Sequence, residues 1–180
     1  MARFVVLVRG VNVGGHNKLP MAAFRELLSG LGFTDVATYL QSGNAVFTTA
    51  KRAPATLATT VERALKQELN LGVQVLVVTG DRLQRIVDDN PMVADDDDPT
   101  HLYVAFLSGK PNSKALRAID VDRYAPDRFI VVGDVAYLHY PTGMGRSRLD
   151  PGAVFGRCGV WATARNWRTV GQLLDMVAGA

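Results

Sequence analysis

The sequence predicts an α+β fold made of two successive βαββαβ units. Short apolar runs of strand length alternate with stretches whose apolar residues recur at i, i+3, i+4 and i+7, which separates strands from amphipathic helices. The order of these signals over residues 1–80 then recurs over residues 101–180. A chain of 180 residues with 48% hydrophobic content also has enough apolar material to bury a core.

Phe4 to Val8 is a continuous apolar run, the pattern of a strand buried on both faces. After a glycine-rich loop, Pro20 stands where a helix can start, and Phe24, Leu27, Leu28 and Leu31 mark its apolar face up to Gly30 and Gly32. Val36–Leu40 and Ala45–Thr49 read as paired strands around Gln41-Ser42-Gly43-Asn44, whose glycine and asparagine tolerate positive φ. Leu57, Val61, Leu65 and Leu69 predict a second helix, and Val73–Val78 another buried strand after Gly72. A helix at 81–89, stopped by Asn90-Pro91, and the acidic loop Asp95–Asp98 fill residues 81–100 between the units.

In the second unit, Leu102–Leu107 reads as a strand, and Ser113 as the cap of a short helix with Leu116 and Ile119. Phe129–Val132 and Val135–Tyr140 flank Gly133-Asp134 as a hairpin. A short helix at Pro151–Arg157 and a short strand at Val160–Thr163 follow, the helix weakened by its glycines. Trp167, Val170, Leu173, Leu174 and Val177 give the last helix an apolar face, with Trp167 read as core. This split-βαβ order is the one expected of two tandem ferredoxin-like plaits with antiparallel sheets.

Composition narrows the function classes. The N-terminal apolar run is closed by Arg9 and is too short for a signal-peptide core or a membrane span, so a cytoplasmic protein is expected. Cys158 is the sole cysteine, which excludes an intrachain disulfide and a cysteine-based zinc site and suits a small buried hydrophobe. The net charge of +3 is uneven: residues 81–100 carry seven acids against two bases, and residues 141–180 five arginines against two aspartates. Fifteen of the twenty basic residues are arginine, the side chain suited to bidentate contact with phosphate or carboxylate. The charge is too modest to argue nucleic-acid binding.

Three loops could carry chemistry. Arg9 to Lys18 follows a strand and precedes a helix, and its three glycines with Arg, Asn and Lys side chains can cradle an anion, although it is neither a Walker loop nor a GxGxxG fingerprint. Tyr140 to Arg148 is a second glycine-arginine loop. Thr163 to Thr169 opens the last helix, where Asn166 can cap and the arginines can hold phosphate or fix packing. His16, His101 and His139 have no ligand spacing, no GxSxG elbow exists, and Asp95–Asp98 lacks the EF-hand pattern. No metal and no cofactor is expected.

At Arg9–Lys18, Tyr39-Leu-Gln-Ser-Gly-Asn44, Leu138-His-Tyr-Pro141 with Gly145-Arg-Ser147, and Ala162-Thr-Ala-Arg-Asn-Trp167 with Thr169-Val170, the chain resembles the domain of unknown function 1697 family nearly end to end. The resemblance implies the double αβ plait and brings no reaction, cofactor or catalytic residue with it. Within Leu149–Trp161 the chain departs from the family's usual lysine and leucine-rich helix, with Asp150-Pro151-Gly152 and Cys158-Gly159-Val160-Trp161 instead.

The leading functional expectation is a module that binds a small anionic or phosphorylated molecule. Strand direction in a split-βαβ unit brings the loop after the first strand to the same end as the first hairpin, and collects Pro141–Asp150 and Ala164–Arg168 at one end of the second sheet. If those ends face each other, Arg9, Asn12, Lys18, Gln41, Ser42 and Asn44 line a cleft opposite Arg146, Arg148, Arg165 and Asn166. The competing reading is that the same groups lock the units together. A nucleic-acid-binding module, an enzyme with a loop-built site and a protein–protein adaptor are the alternatives. The sequence does not specify the oligomeric state.

Overall fold

A computed structural model describes residues 1–50, 53–95 and 98–179. The chain is α+β, with two four-stranded antiparallel sheets, and its contacts divide it into two compact units: residues 1–85 with 172–180, and residues 86–171.

The first unit comprises β1 (Ala2–Val8), α1 (Met21–Gly30), β2 (Thr34–Tyr39), β3 (Asn44–Thr49), α2 (Pro54–Leu69), β4 (Val75–Thr79) and most of α3 (Gly80–Asp88). The sheet order is β2-β3-β1-β4, so β1 lies between two antiparallel neighbours. Its alternation divides the core: Phe4, Val6 and Val8 pack with Phe24 and Leu28 of α1 and Leu57, Val61 and Leu65 of α2. Phe47 opposes Phe4 across the strands and stacks on Phe33 with ring centroids 4.3 Å apart. The first helix ends at the glycines that mark its stop in the sequence, and the second at an asparagine. Gly32 takes φ +81° beyond α1 while the Phe33 N–H returns to the Leu28 carbonyl, and Asn70 takes φ 52° beyond α2 while the Leu71 N–H returns to Leu65.

The second unit holds β5 (Leu102–Leu107), α4 (Ser113–Arg117), β6 (Arg128–Val132), β7 (Val135–His139), α5 (Pro151–Gly156), β8 (Ala162–Asn166) and the start of α6 (Trp167–Ala178). Its sheet order, β6-β7-β5-β8, places β5 as β1 is placed in the first unit. Ala105, Leu107, Ala136, Leu138 and Ala162 pack with Val154 and Phe155 of α5. The opposite face is covered as well, since the Tyr137 hydroxyl donates to the Ile86 carbonyl of α3 at 2.9 Å.

The structure departs from the sequence pattern at several positions. The cap of α4 is Asn112, whose Oδ1 accepts from the Ala115 N–H at 2.9 Å, and Ser113 is the first helical residue. The last strand runs over Ala162–Asn166, later than Val160–Thr163, because Arg165 is accommodated in the sheet with its side chain buried. In the first hairpin the positive φ falls on Leu40 (55°) and Gly43 (74°), whereas Asn44 is a fully buried strand residue. Trp167 is half-buried. The short helix α5 does form despite its glycines, with Pro151 in its first turn and Asp150 Oδ1 accepting from the Gly152 N–H at 3.0 Å. Of the acidic run, Asp96 and Asp97 lie outside the described residues.

Candidate functional site

The polar end of the first sheet is set by β1. The Val8 N–H donates to the Gly43 carbonyl at 2.8 Å, and the Arg9 N–H to the Gln74 carbonyl at 2.9 Å, so the loop after β1 touches both neighbouring segments. Asn12, at φ 55°, is the hub of that loop. Its Nδ2 donates to Leu19 O at 2.9 Å and to Gln41 O at 2.6 Å, while its Oδ1 accepts from the Leu19 N–H at 2.9 Å. Asn17 Nδ2 donates to Gly10 O at 3.0 Å. Gly43 has to be glycine: a methyl there would come 2.6 Å from Val11 Cγ2 and 2.9 Å from Val8 Cβ.

Within this frame the candidates separate. Asn44 is committed to the turn, donating from Nδ2 to Tyr39 O at 3.1 Å and to Ser42 Oγ at 2.8 Å. Lys18, Gln41 and Ser42 are exposed. Arg9 is half-buried, and its guanidinium donates to Gln74 Oε1. Beside that pair lies a cavity of about 350 Å³ lined by Arg9, Gly10, Asn17 and residues 72–74. Its lining carries one cation and no acid, so it offers a positive, hydrogen-bonding surface.

The sequence model of the family described as "Protein of unknown function (DUF1697)" matches residues 1–137. The chain belongs to this family. The motifs from Leu138 onward lie outside the matched stretch. A solved structure described as the conserved bacterial protein SP0830 from Streptococcus pneumoniae is similar over 98% of both chains, at 21% identity with a TM-score of 0.69, a likeness of fold. No curated protein matches the sequence.

In the second unit of this DUF1697 member, β7 and β8 both end beside the start of β5, His139 opposite Leu102 and Asn166 opposite Tyr103. The loops that follow them therefore share one end of the sheet. Arg146 and Arg148 are exposed, and Ser147 between them is tied inward. Its hydroxyl donates to Asp127 Oδ2 at 2.6 Å and accepts from the Leu149 N–H at 2.8 Å. The Tyr140 hydroxyl donates to Leu149 O at 2.9 Å, and burial, followed by the charges of Asp127 and Asp150, pushes its pKa up. Arg165 is 8% exposed and donates to Thr163 Oγ1 at 2.7 Å and Ala164 O at 2.9 Å; burial pushes its guanidinium down to about 10. Asn166 donates to Thr100 O at 3.1 Å and caps α6 by accepting from the Arg168 N–H at 3.0 Å.

The remaining polar groups are structural in character. Asp98 accepts from both the hydroxyl and the N–H of Thr100, and the hydroxyl bond is the largest influence holding its carboxyl below the usual value. Cys158 is buried, with its thiol donating to Val154 O, and burial raises its pKa. Among the described residues no three His, Cys, Asp or Glu side chains are grouped to hold a metal, and no helix is long and apolar enough to cross a membrane. Sequence reasoning missed Gln74. Its signal lies in the pairing of Val8 with Val75, which sets Arg9 against the residue just before β4.

Proposed function

We propose that this chain binds a small molecule bearing a phosphate or carboxylate at the polar end of the first sheet. The observation that carries the reading is the cavity of about 350 Å³ beside Arg9, with Asn17 and Gln74 in its lining and no acidic group among them. Arg9 and Lys18 supply positive charge on one loop, while Gln41 and Ser42 stand on the neighbouring turn, which Asn12 ties to that loop. Three non-glycine residues with positive φ, Asn12, Asn17 and Leu40, fall in these two segments, and strained backbone of this kind concentrates at binding sites. The reading includes a ferredoxin-like plait in each unit, supported by the orders β2-β3-β1-β4 and β6-β7-β5-β8 with antiparallel pairing throughout. It also includes a cytoplasmic location, which the single buried thiol suits.

Thermal unfolding with orthophosphate, pyrophosphate, nucleoside monophosphates and sugar phosphates tests the site. A ligand at about a hundred times its Kd stabilises the native state by about 2.7 kcal/mol. Arg9→Gln should abolish that shift and leave the unliganded midpoint nearly unchanged. Absence of any shift at millimolar anion would sink the reading.

A further inference from the structure

The second unit holds a cavity of about 320 Å³ that is lined by none of the candidate loop residues described above. Its apolar lining comes from Ala115, Ala118 and Ile119 around the end of α4 and from Val154 of α5. Tyr124, 8% exposed, contributes an aromatic surface. Two guanidinium groups, Arg123 and Arg157, stand against a single carboxylate, Asp120. The Arg123 guanidinium carbon lies 5.4 Å from the Tyr124 ring centroid, a cation–π contact that restrains the head group near the apolar surface.

From this lining we infer a second binding site, specific for an amphipathic anion: a carboxylate or phosphate carried on a short aliphatic or single-ring body. An excess of arginine over acid selects a negative head group, and arginine's planar fork accepts either anion. Hydrocarbon against Ala115, Ala118 and Ile119 removes apolar surface from water, which a fully hydrated anion cannot do. The volume lies near the lower bound of small-molecule pockets, roughly 300 Å³, which limits the body to a few carbons or one ring. The inference is independent of the site beside Arg9, because the residues belong to a different unit and each site can be read separately.

Amide chemical shifts of the full chain, titrated with hexanoate, phenyl phosphate, inorganic phosphate and hexanol, test it. Hexanoate or phenyl phosphate should move the signals of Ala115, Ile119 and Val154. Inorganic phosphate and hexanol, each carrying half of the chemistry, should bind at least about tenfold more weakly, a difference of 1.4 kcal/mol. The Arg123→Gln/Arg157→Gln double variant should weaken binding by about the same factor. Ala115→Leu should block it by filling the cavity with the charges intact, and the unperturbed remaining signals would show that either variant is folded. The proposal is overturned if those three signals stay still with both amphiphiles, if inorganic phosphate binds as tightly as phenyl phosphate, or if neither variant weakens binding. Shifts confined to the neighbourhood of Arg9 and Gln74 would also overturn it while supporting the other site.

Discussion

At the end of the first sheet the loops are tied by neutral amides, Asn12 to Leu19 and Gln41, Asn17 to Gly10, and Asn44 to Tyr39. The polar end of the second sheet lies at the start of β5, opposite in sense to the first, and besides the Asn166 amide its ties run through ionisable and hydroxyl groups: Ser147 to Asp127, Tyr140 to Leu149, and Arg165 to Thr163. An amide satisfies backbone groups without desolvating a charge, so the first end keeps Lys18 exposed and Arg9 beside a cavity. The second end holds its loop through Asp127 and buries Arg165 within β8, and a buried charge is tolerated only where hydrogen bonds compensate it. Similar loop sequences rich in Gly, Arg and Asn thus serve different ends, and only burial and partners distinguish them.

The largest difference is expected between the two hairpin glycines, of which Gly133 closes the β6–β7 turn at the end of the second sheet away from Tyr140 and Ser147. Gly43→Ala should cost about 3 kcal/mol, combining a forced overlap with Val8 and Val11 and an unfavourable positive φ. Gly133→Ala, at φ +65° with nothing within 4 Å, should cost only about 1 kcal/mol. Equal losses in urea denaturation would show that the first end is not closely packed around its turn. Next in size is the arginine pair. Arg165→Ala should lose about 2 kcal/mol through two hydrogen bonds and a buried stem, whereas Arg9→Ala should lose about 1 kcal/mol or less. A reversed order of melting temperatures would reverse the roles assigned to the two residues.

A pH series sharpens the same comparison. The folded state opposes ionisation of Tyr140, so above the usual pKa of 10.0 the unfolded chain loses this proton while the native chain keeps it. Stability is therefore lost as pH rises past that value. The advantage of the native chain over Tyr140→Phe, about 1 kcal/mol near pH 8 from the bond to Leu149, should shrink near pH 11, and a constant difference would contradict the burial of the phenol. The smallest effect is expected at Leu40, which is 55% exposed at φ 55°. Leu40→Gly should leave stability unchanged or raise it by about 0.5 kcal/mol, because relief of the left-handed conformation outweighs the added chain entropy.

Much of the fold was legible because local pattern and burial agree. The Phe4–Val8 run is buried on both faces of β1, and Gly133-Asp134 closes the hairpin between β6 and β7. The sequence misled where tertiary cover changes what a residue can do. Arg165 and Asn166 read as loop residues, yet a covered sheet face and the Thr163 hydroxyl let the arginine sit inside β8. Asn44 reads as a turn former, but its amide is needed by Tyr39 and its backbone pairs with Leu7, so the positive φ passes to Leu40. Of the candidate site, Arg9 and Lys18 were legible from the glycine-rich loop. Gln74, 65 residues from Arg9, becomes its neighbour only through the β1–β4 pairing. The Arg123–Arg157 cavity was invisible for the same reason, since its lining comes from separate elements.

The division of α6 between the units bears on the order in which the chain can fold during synthesis. Residues 86–171 are a continuous stretch and can close their sheet once Asn166 has left the ribosome, whereas the first unit also needs residues 172–180, where Val177 meets Gly80. The half made first is therefore the half completed last. Until the final turns of α6 emerge, the nascent first unit lacks Val177 against Gly80, leaving apolar surface near the start of α3 open to chaperones.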